Sequence, residues 1–303
     1  MASHGRGTTR WSLLMMLCAF AFLFATMLMA ADGNLNDPGP RAGNTGAGGR
    51  IAGLTVKETK FFDGGLGEFL EVQSPTGSDG DSEAGLGPRF NSNSCVSCHA
   101  HPAAGGTSPA VNPQFTVAPD QANTLALLGI ISPNGPVREV RFQSDGGVHD
   151  LFTIAGLEGT PADCQIAQPP FADHLAELSF RIPTPLFGLG LIEAIEDATI
   201  LQNAGPKQFG ISGIANRNGN DGTVTRYGWK AQNKSLVIFA GEAYNVEQGI
   251  TNELFPDERG ESGTPDSQKC RRILPAPQDS VNYELTQPQQ VIDNVSAFAN
   301  FMR

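Results

Sequence analysis

Two cysteines three positions apart, followed at once by a histidine, stand in the stretch RFNSNSCVSCHAHPAAGG as Cys95, Cys98 and His99. On one helical turn, positions i and i+3 share a face. Both thiols can therefore bond to the two vinyl groups of a single porphyrin. The adjoining His99 lies about a third of a turn further round, where its imidazole can ligate the iron. This is the attachment pattern of c-type haem. A Cys-x-x-Cys without the histidine would equally suit a thioredoxin-like redox pair or half of a zinc site. Zinc would also need a second close pair of ligands, and Cys164 and Cys270 are isolated.

A haem iron has a second axial position, and what occupies it separates electron transfer from reactivity. Met302, at the end of the chain, is the only methionine beyond residue 29, so a His/Met pair is not expected. His101 is too close to His99 to reach the opposite face. His149, in the glycine-flanked stretch SDGGVHDLF, is the candidate sixth ligand, although a solvent-bonded loop histidine is an equal reading. His174 falls on a helical pattern and reads as a surface residue. With no protein ligand on that side, the iron is open to peroxide or another small molecule.

The elements that must position this turn begin with an export signal. Arg6 and Arg10 precede an apolar run from Trp11 to Met29, and the small pair Ala30-Ala31 precedes the polar DGNLND. Residues 1–31 thus read as a signal peptide, or as an uncleaved anchor. Residues 32–50 read as a flexible linker and 51–303 as one haem domain. Export implies a periplasmic location, where c-type haem is loaded and where a Cys164–Cys270 disulfide is permitted. Membrane association is expected only if the N-terminal segment is retained.

Without the two leader arginines, 18 Lys and Arg face 31 Asp and Glu, a net −13. That excludes a nucleic-acid partner, which would need a basic face, and is compatible with a basic redox partner. With 36 glycines and 21 prolines, long irregular connections are expected. Helical spacing predicts helices over Phe171–Phe180, Leu191–Gln202, Gln232–Glu247 and Gln289–Met302, with weaker promise in GEFLEV. Arg138–Phe142 and Thr223–Tyr227 read as short strand-like runs. The fold class that follows is mainly α and loop-rich.

Three stretches in order, GLGPRFNSNSCVSCHAHPAAGG, RIPTPLFGLGLIEAI and TRYGWKAQNKSLVIFAGEAYNVEQGITNELF, resemble the di-haem oxidoreductase family of peroxidases. They are similar to bacterial di-haem cytochrome c peroxidases and MauG-type enzymes. The resemblance spans about residues 51–303 and implies a cytochrome c-like haem domain of the di-haem peroxidase type. It implies that Thr184-Pro185-Leu186-Phe187 is the turn following the first haem, with Gly188 where asparagine is usual. It implies that Trp229 relays electrons between haems. Glu247 would be the acid beside the open peroxide position, with Glu193 as its rival.

An acid there would take a proton from the inner peroxide oxygen and return it to the leaving one. Read without the resemblance, Trp229 is a core residue and Glu247 a solvated helix-end residue. The implied cofactor is covalent haem c, one in this chain, and the resemblance also admits a calcium ion. The implied partners are an electron-donor or acceptor protein and a peroxide-like small molecule. Family members carry a second Cys-x-x-Cys-His in a C-terminal domain, and this sequence holds one motif. The expectation is therefore the N-terminal haem half of a two-haem protein, enzymatic only with the second haem domain. The alternatives are a mono-haem electron-transfer cytochrome and a haem-based binding or sensor module.

Overall fold

The computed structural model describes residues 46–77, 83–143, 162, 168–205, 208–257 and 276–303. The export segment, His149, Cys164 and Cys270 lie outside the described residues. Helices and irregular connections dominate, as expected, and the strands form two-stranded ribbons.

Helix α1, Val56–Leu70, opens on Thr55. The Thr55 hydroxyl accepts from the Glu58 backbone at 3.3 Å, and the Glu58 carboxylate accepts from the Thr55 N–H at 2.7 Å. This reciprocal cap satisfies two donors that a helix start leaves exposed. It explains why the helix begins well before the GEFLEV stretch that signals it. Strands β1 (Gln73–Ser74) and β2 (Glu83–Ala84) then pair in parallel, Gln73 opposite Glu83. Helix α2 is the single turn Cys95–Cys98; α3 is Gln114–Val117 and α4 Pro119–Leu127.

Strand β3, Glu139–Phe142, falls within the predicted run and pairs antiparallel with β4, Leu178–Arg181. That pairing corrects the helix predicted over Phe171–Phe180. A 3₁₀ helix covers Phe171–Glu177, His174 leaves helical geometry, and residues 178–181 extend instead. Local periodicity yields because the β3 edge offers those residues ladder hydrogen bonds.

The predicted Leu191–Gln202 helix is two, α5 (Leu189–Glu193) and α6 (Asp197–Gln202). Asp197 is held by the Val224 N–H at 2.8 Å and the Arg226 guanidinium at 2.6 Å, which fixes the break. Thr223–Tyr227 forms isolated bridges rather than a strand, Val224 with Arg217 and Tyr227 with Asn233.

Helix α7, Leu236–Gln248, is capped by Ser235, whose hydroxyl accepts from Ile238 at 3.3 Å. Helix α8 is Pro288–Val291 and α9 Asn294–Met302. They are separated because the Asp293 carboxylate caps α9 through the Ser296 N–H at 2.9 Å.

Two buried clusters hold these pieces. One joins α1, α7 and α9 through Phe69, Leu236, Tyr244, Val295, Phe298 and Phe301, with Cys95 and Val96 packed against it. The other gathers Leu86, Phe90, Leu125, Ile130, Val140 and Phe171. Each fully buried large apolar side chain contributes about 1.5–3 kcal/mol. Leu86 and Phe90 therefore anchor the segment that leads into α2 from one side, and Val96 anchors the turn from the other.

Candidate functional site

The turn preceding Cys95 is held by hydroxyls. Ser97 Oγ donates to the Ser94 carbonyl and lies 2.6 Å from Ser92 Oγ. Cys95 Sγ donates to Gln248 Oε1 at 3.5 Å, so the helical turn faces the end of α7. The chain crosses α7 in backbone contact. Gly87 N–H donates to the Gln248 carbonyl and Asn91 N–H to the Glu247 carbonyl, both at 2.8 Å. A Cβ on Gly249, which sits at φ +67°, would fall 2.5 Å from Gly87 Cα. Only glycine permits both that conformation and that approach.

His99 is steered by the loop that follows it. Its Nδ1 lies 3.0 Å from the Gly106 carbonyl. A carbonyl only accepts, so Nδ1 carries the proton and Nε2 keeps its lone pair. Gly106 is required here, because a Cβ would sit 2.0 Å from the His101 carbonyl oxygen. Burial lowers the pKa of His99, outweighing the Gly106 hydrogen bond, and keeps the ring neutral. Phe69 lies against the ring with centroids 6.3 Å apart. The 183–186 turn is tied to the same loop: Thr107 Oγ1 donates to the Pro183 carbonyl at 2.6 Å, and Leu186 N–H to the Gly105 carbonyl at 2.7 Å.

Burial, with the adjacent thiol, pushes Cys95 up to about 12. Burial also pushes Cys98 up to about 12, although the Ser97 and Ser92 hydroxyls work against it. A redox-active pair needs a depressed thiol pKa. These thiols stay protonated, which weighs against that reading.

Cys95, Cys98 and His99 line a cavity of about 410 Å³, within the usual range of roughly 300–1,000 Å³ for ligand sites. Trp229 and Glu247 line the same cavity. Thus the two residues nominated for chemistry share a cavity with the thiol–imidazole turn. Glu247, in the last turn of α7, accepts a hydrogen bond from Asn91 Nδ2, and its other oxygen is 3.7 Å from the buried Arg141 guanidinium. Arg141 is also ion-paired to Glu139 along β3. Trp229 is 44% exposed, with the Arg181 guanidinium carbon 3.6 Å above its ring.

Glu193 serves elsewhere. It accepts from the Leu236 N–H at 2.9 Å and from Arg303 Nε at 2.7 Å. Burial raises its pKa, but the Arg303 and Leu236 hydrogen bonds outweigh it and hold the carboxyl below the usual range. His174 is surface-exposed and 3.4 Å from Glu177.

Sequence reasoning missed Asn91, Arg141, Arg181 and Met302 as cavity residues. Asn91 stood in view in RFNSNS, and Arg141 lay inside the strand-like run. Nothing in their spacing shows that β3, β4 and the 91–94 segment converge. Met302 was set aside because it comes last in the chain, yet it is buried and lines the cavity.

Residues 168–295 match the family described as di-haem oxidoreductase, putative peroxidase. That stretch contains the Thr184-Pro185 turn, Trp229 and Glu247, and the thiol–imidazole turn lies upstream of it. The family's description names two haems and an oxidoreductase activity. No curated protein and no solved structure matches the chain. Among the described residues no helix is long and apolar enough to cross a membrane.

Proposed function

We propose that this chain is an exported, periplasmic c-type haem protein, with a cytochrome c-like domain over residues 51–303. It is the haem-bearing N-terminal part of a peroxidase-like oxidoreductase that exchanges electrons with a protein partner. The observation that supports this most is that Cys95, Cys98, His99, Trp229 and Glu247, from separate stretches of chain, line one cavity. The residues present fit a covalently held haem. The thiols are neutral and share a helical face, the imidazole is oriented through Nδ1 by the Gly106 carbonyl, and apolar walls include Phe69, Leu186 and Phe298. Cys95 and Cys98 would form the two thioethers, and His99 would ligate the iron.

The bound haem would supply the metal centre that takes up peroxide and the electrons for O–O cleavage. Glu247 would accept a proton at one carboxylate oxygen and return it. Asn91, bonded to Oε2, orients that carboxylate, and Arg141 lends it a nearby positive charge. The apolar walls exclude water, which strengthens each of these interactions. Trp229 offers an oxidisable ring at the wall. The Arg181 guanidinium over its face opposes the positive charge an oxidised indole would carry, so a relay through Trp229 requires that stack to loosen.

A second reading, a mono-haem electron-transfer cytochrome, is favoured by one observation, the presence of buried Met302 in the cavity wall. It would replace His149 as the sixth ligand.

The test is expression of the full chain with its leader in a host that loads c-type haem. Haem should remain on the denatured polypeptide and be lost in the Cys95→Ser, Cys98→Ser double variant; staining retained in that variant overturns the covalent assignment. A ferric spectrum that changes on adding peroxide supports the peroxidase-like reading. A six-coordinate spectrum indifferent to peroxide, and converted to an open site by Met302→Leu, establishes the second.

A further inference from the structure

Trp229 stands on a turn whose backbone is unusual for its residues. Gly228, Lys230 and Ala231 have φ of +76°, +52° and +54°. Lys230 and Ala231 carry a Cβ, so left-handed geometry is unfavourable for both. Two neighbouring residues hold it only where surrounding contacts over-determine the loop. The root of the turn is closed by the bridge between Tyr227 and Asn233. Asn233 N–H donates to the Tyr227 carbonyl at 2.8 Å, and Tyr227 N–H to the Asn233 carbonyl at 3.0 Å. From the preceding segment, Asn216 Nδ2 donates to the Ala231 carbonyl at 3.2 Å and lies 3.4 Å from that of Lys230.

The remaining support is a single carboxylate on α7. Glu242 Oε1 accepts from Gln232 Nε2, and its Oε2 accepts from Asn233 Nδ2, both at 2.5 Å. Gln232 and Asn233 follow Trp229 by three and four positions. Phe239, one turn earlier on α7, stacks on Tyr227 with ring centroids 6.0 Å apart. Positions i and i+3 share a helix face. One face of α7 therefore grips both ends of the turn, Tyr227 through a ring and residues 232–233 through hydrogen bonds. A carboxylate offers acceptors and no donor, so two amide N–H groups match its two oxygens. The proton transfer given to Glu247 makes no use of Glu242.

We propose that Glu242 is a positioning residue for Trp229. It ties the 228–233 turn to α7, so that the indole stays in the wall of the cavity shared with Cys95, Cys98 and His99. The value of this to an electron relay rests on the role given to Trp229 above. A functional side chain needs its supporting shell locked by hydrogen bonds, and Glu242 supplies that lock from one side. Arg181 of β4 stacks on the indole from another. With the turn held by α7, the stack loosens by movement of the Arg181 side chain and not of the ring.

The test uses the full haem-loaded chain, held reduced and carrying Trp11→Phe, so that Trp229 is its one tryptophan. It is grown with fluorotryptophan and read by fluorine NMR. The expected result is a single sharp line. Glu242→Gln sets an amide NH₂ against one of the two loop amides, and its line should broaden about twofold or split. Gln232→Leu, at an exposed position, should do the same, and it decides the matter if the first variant does not fold. Combining Glu242→Gln with Gln232→Glu restores both hydrogen bonds with their donors exchanged, and should restore the single line. Asp63→Asn, paired to Arg50 elsewhere, should leave the line as it is. An unchanged line in Glu242→Gln and Gln232→Leu, or broadening that the exchanged pair does not reverse, overturns the proposal. The line is read with or without haem, so a chain bearing no covalent haem overturns the haem reading and leaves this proposal to the line alone.

Discussion

Tyr244 of α7 forms part of the wall of two cavities, and they solve the problem of burial in opposite ways. The haem cavity holds its acids next to bases, with Arg138, Arg141 and Arg181 among its lining residues beside Glu139, Glu242 and Glu247. Its thiols and imidazole are driven neutral by burial. The second cavity, about 310 Å³, is lined by Glu68, Glu83 and Asp279 and, among the described residues, by no lysine or arginine. A space with neutral donors and paired charges accepts a large, mostly apolar group. A space in which buried carboxyls stand close together favours their protonated forms. Tyr244 thus stands in the wall of both a mostly apolar space and a carboxyl-lined one.

The contrast is broken most severely at Glu247, the acid that the haem cavity keeps charge-compensated. Glu247→Gln removes the proton acceptor while retaining the Asn91 contact. The peroxide reaction of the haem-loaded protein should slow by about 10²–10⁴-fold, with haem still attached. Unchanged peroxide kinetics in a stopped-flow measurement would falsify the role given to Glu247.

A smaller effect is expected where the haem cavity's two halves are joined. Gly249→Ala places a methyl group against Gly87 and forces an unfavourable backbone conformation. Overpacking costs about 1–3 kcal/mol, and left-handed geometry about 1–2 more. Denaturant unfolding should show a loss in that range. Gly87→Ala, on the facing segment, should weaken the fold through the same contact, and no loss in either variant would mean that the crossing tolerates the added methyl group.

The smallest effect sharpens the acidic side. Asp279 accepts from the Asn294 and Val295 N–H groups at 2.8 and 3.1 Å. Burial nevertheless raises it to about 6, with Asp293 and Glu83 adding to the shift against those hydrogen bonds. Its folded pKa lies above the unfolded value of about 3.9. The stability it contributes is therefore complete below about pH 4 and is lost as pH rises through about 6. Stability should fall across that window, and Asp279→Asn should flatten part of the fall. A pH profile identical in the variant would remove Asp279 from the acidic cavity's energetics.

Much of the chemistry could be read from neighbours in the chain, because it depends on local spacing. Cys95, Cys98 and His99 need only one helical turn, and the helix over Leu236–Gln248 follows from its apolar period and a serine cap. The 178–181 strand could not be read this way, because its partner lies nearly forty residues away and tertiary pairing overrode the local period. Nor could the break at Asp197, which is set by Val224 and Arg226.

By itself, then, the sequence determined the haem-type donor set, the mainly helical class and the order of the family-like motifs. These are encoded by residues within a few positions of one another. Only the tertiary structure decided that Glu247 rather than Glu193 faces the thiols, that Met302 shares their cavity, and that Glu68, Glu71 and Glu83 converge. Each of those outcomes depends on where the backbone crosses itself, at Gly87 over Gly249 and at β1 beside β2. Such crossings are selected by summed packing over the whole core, and no local pattern carries that sum.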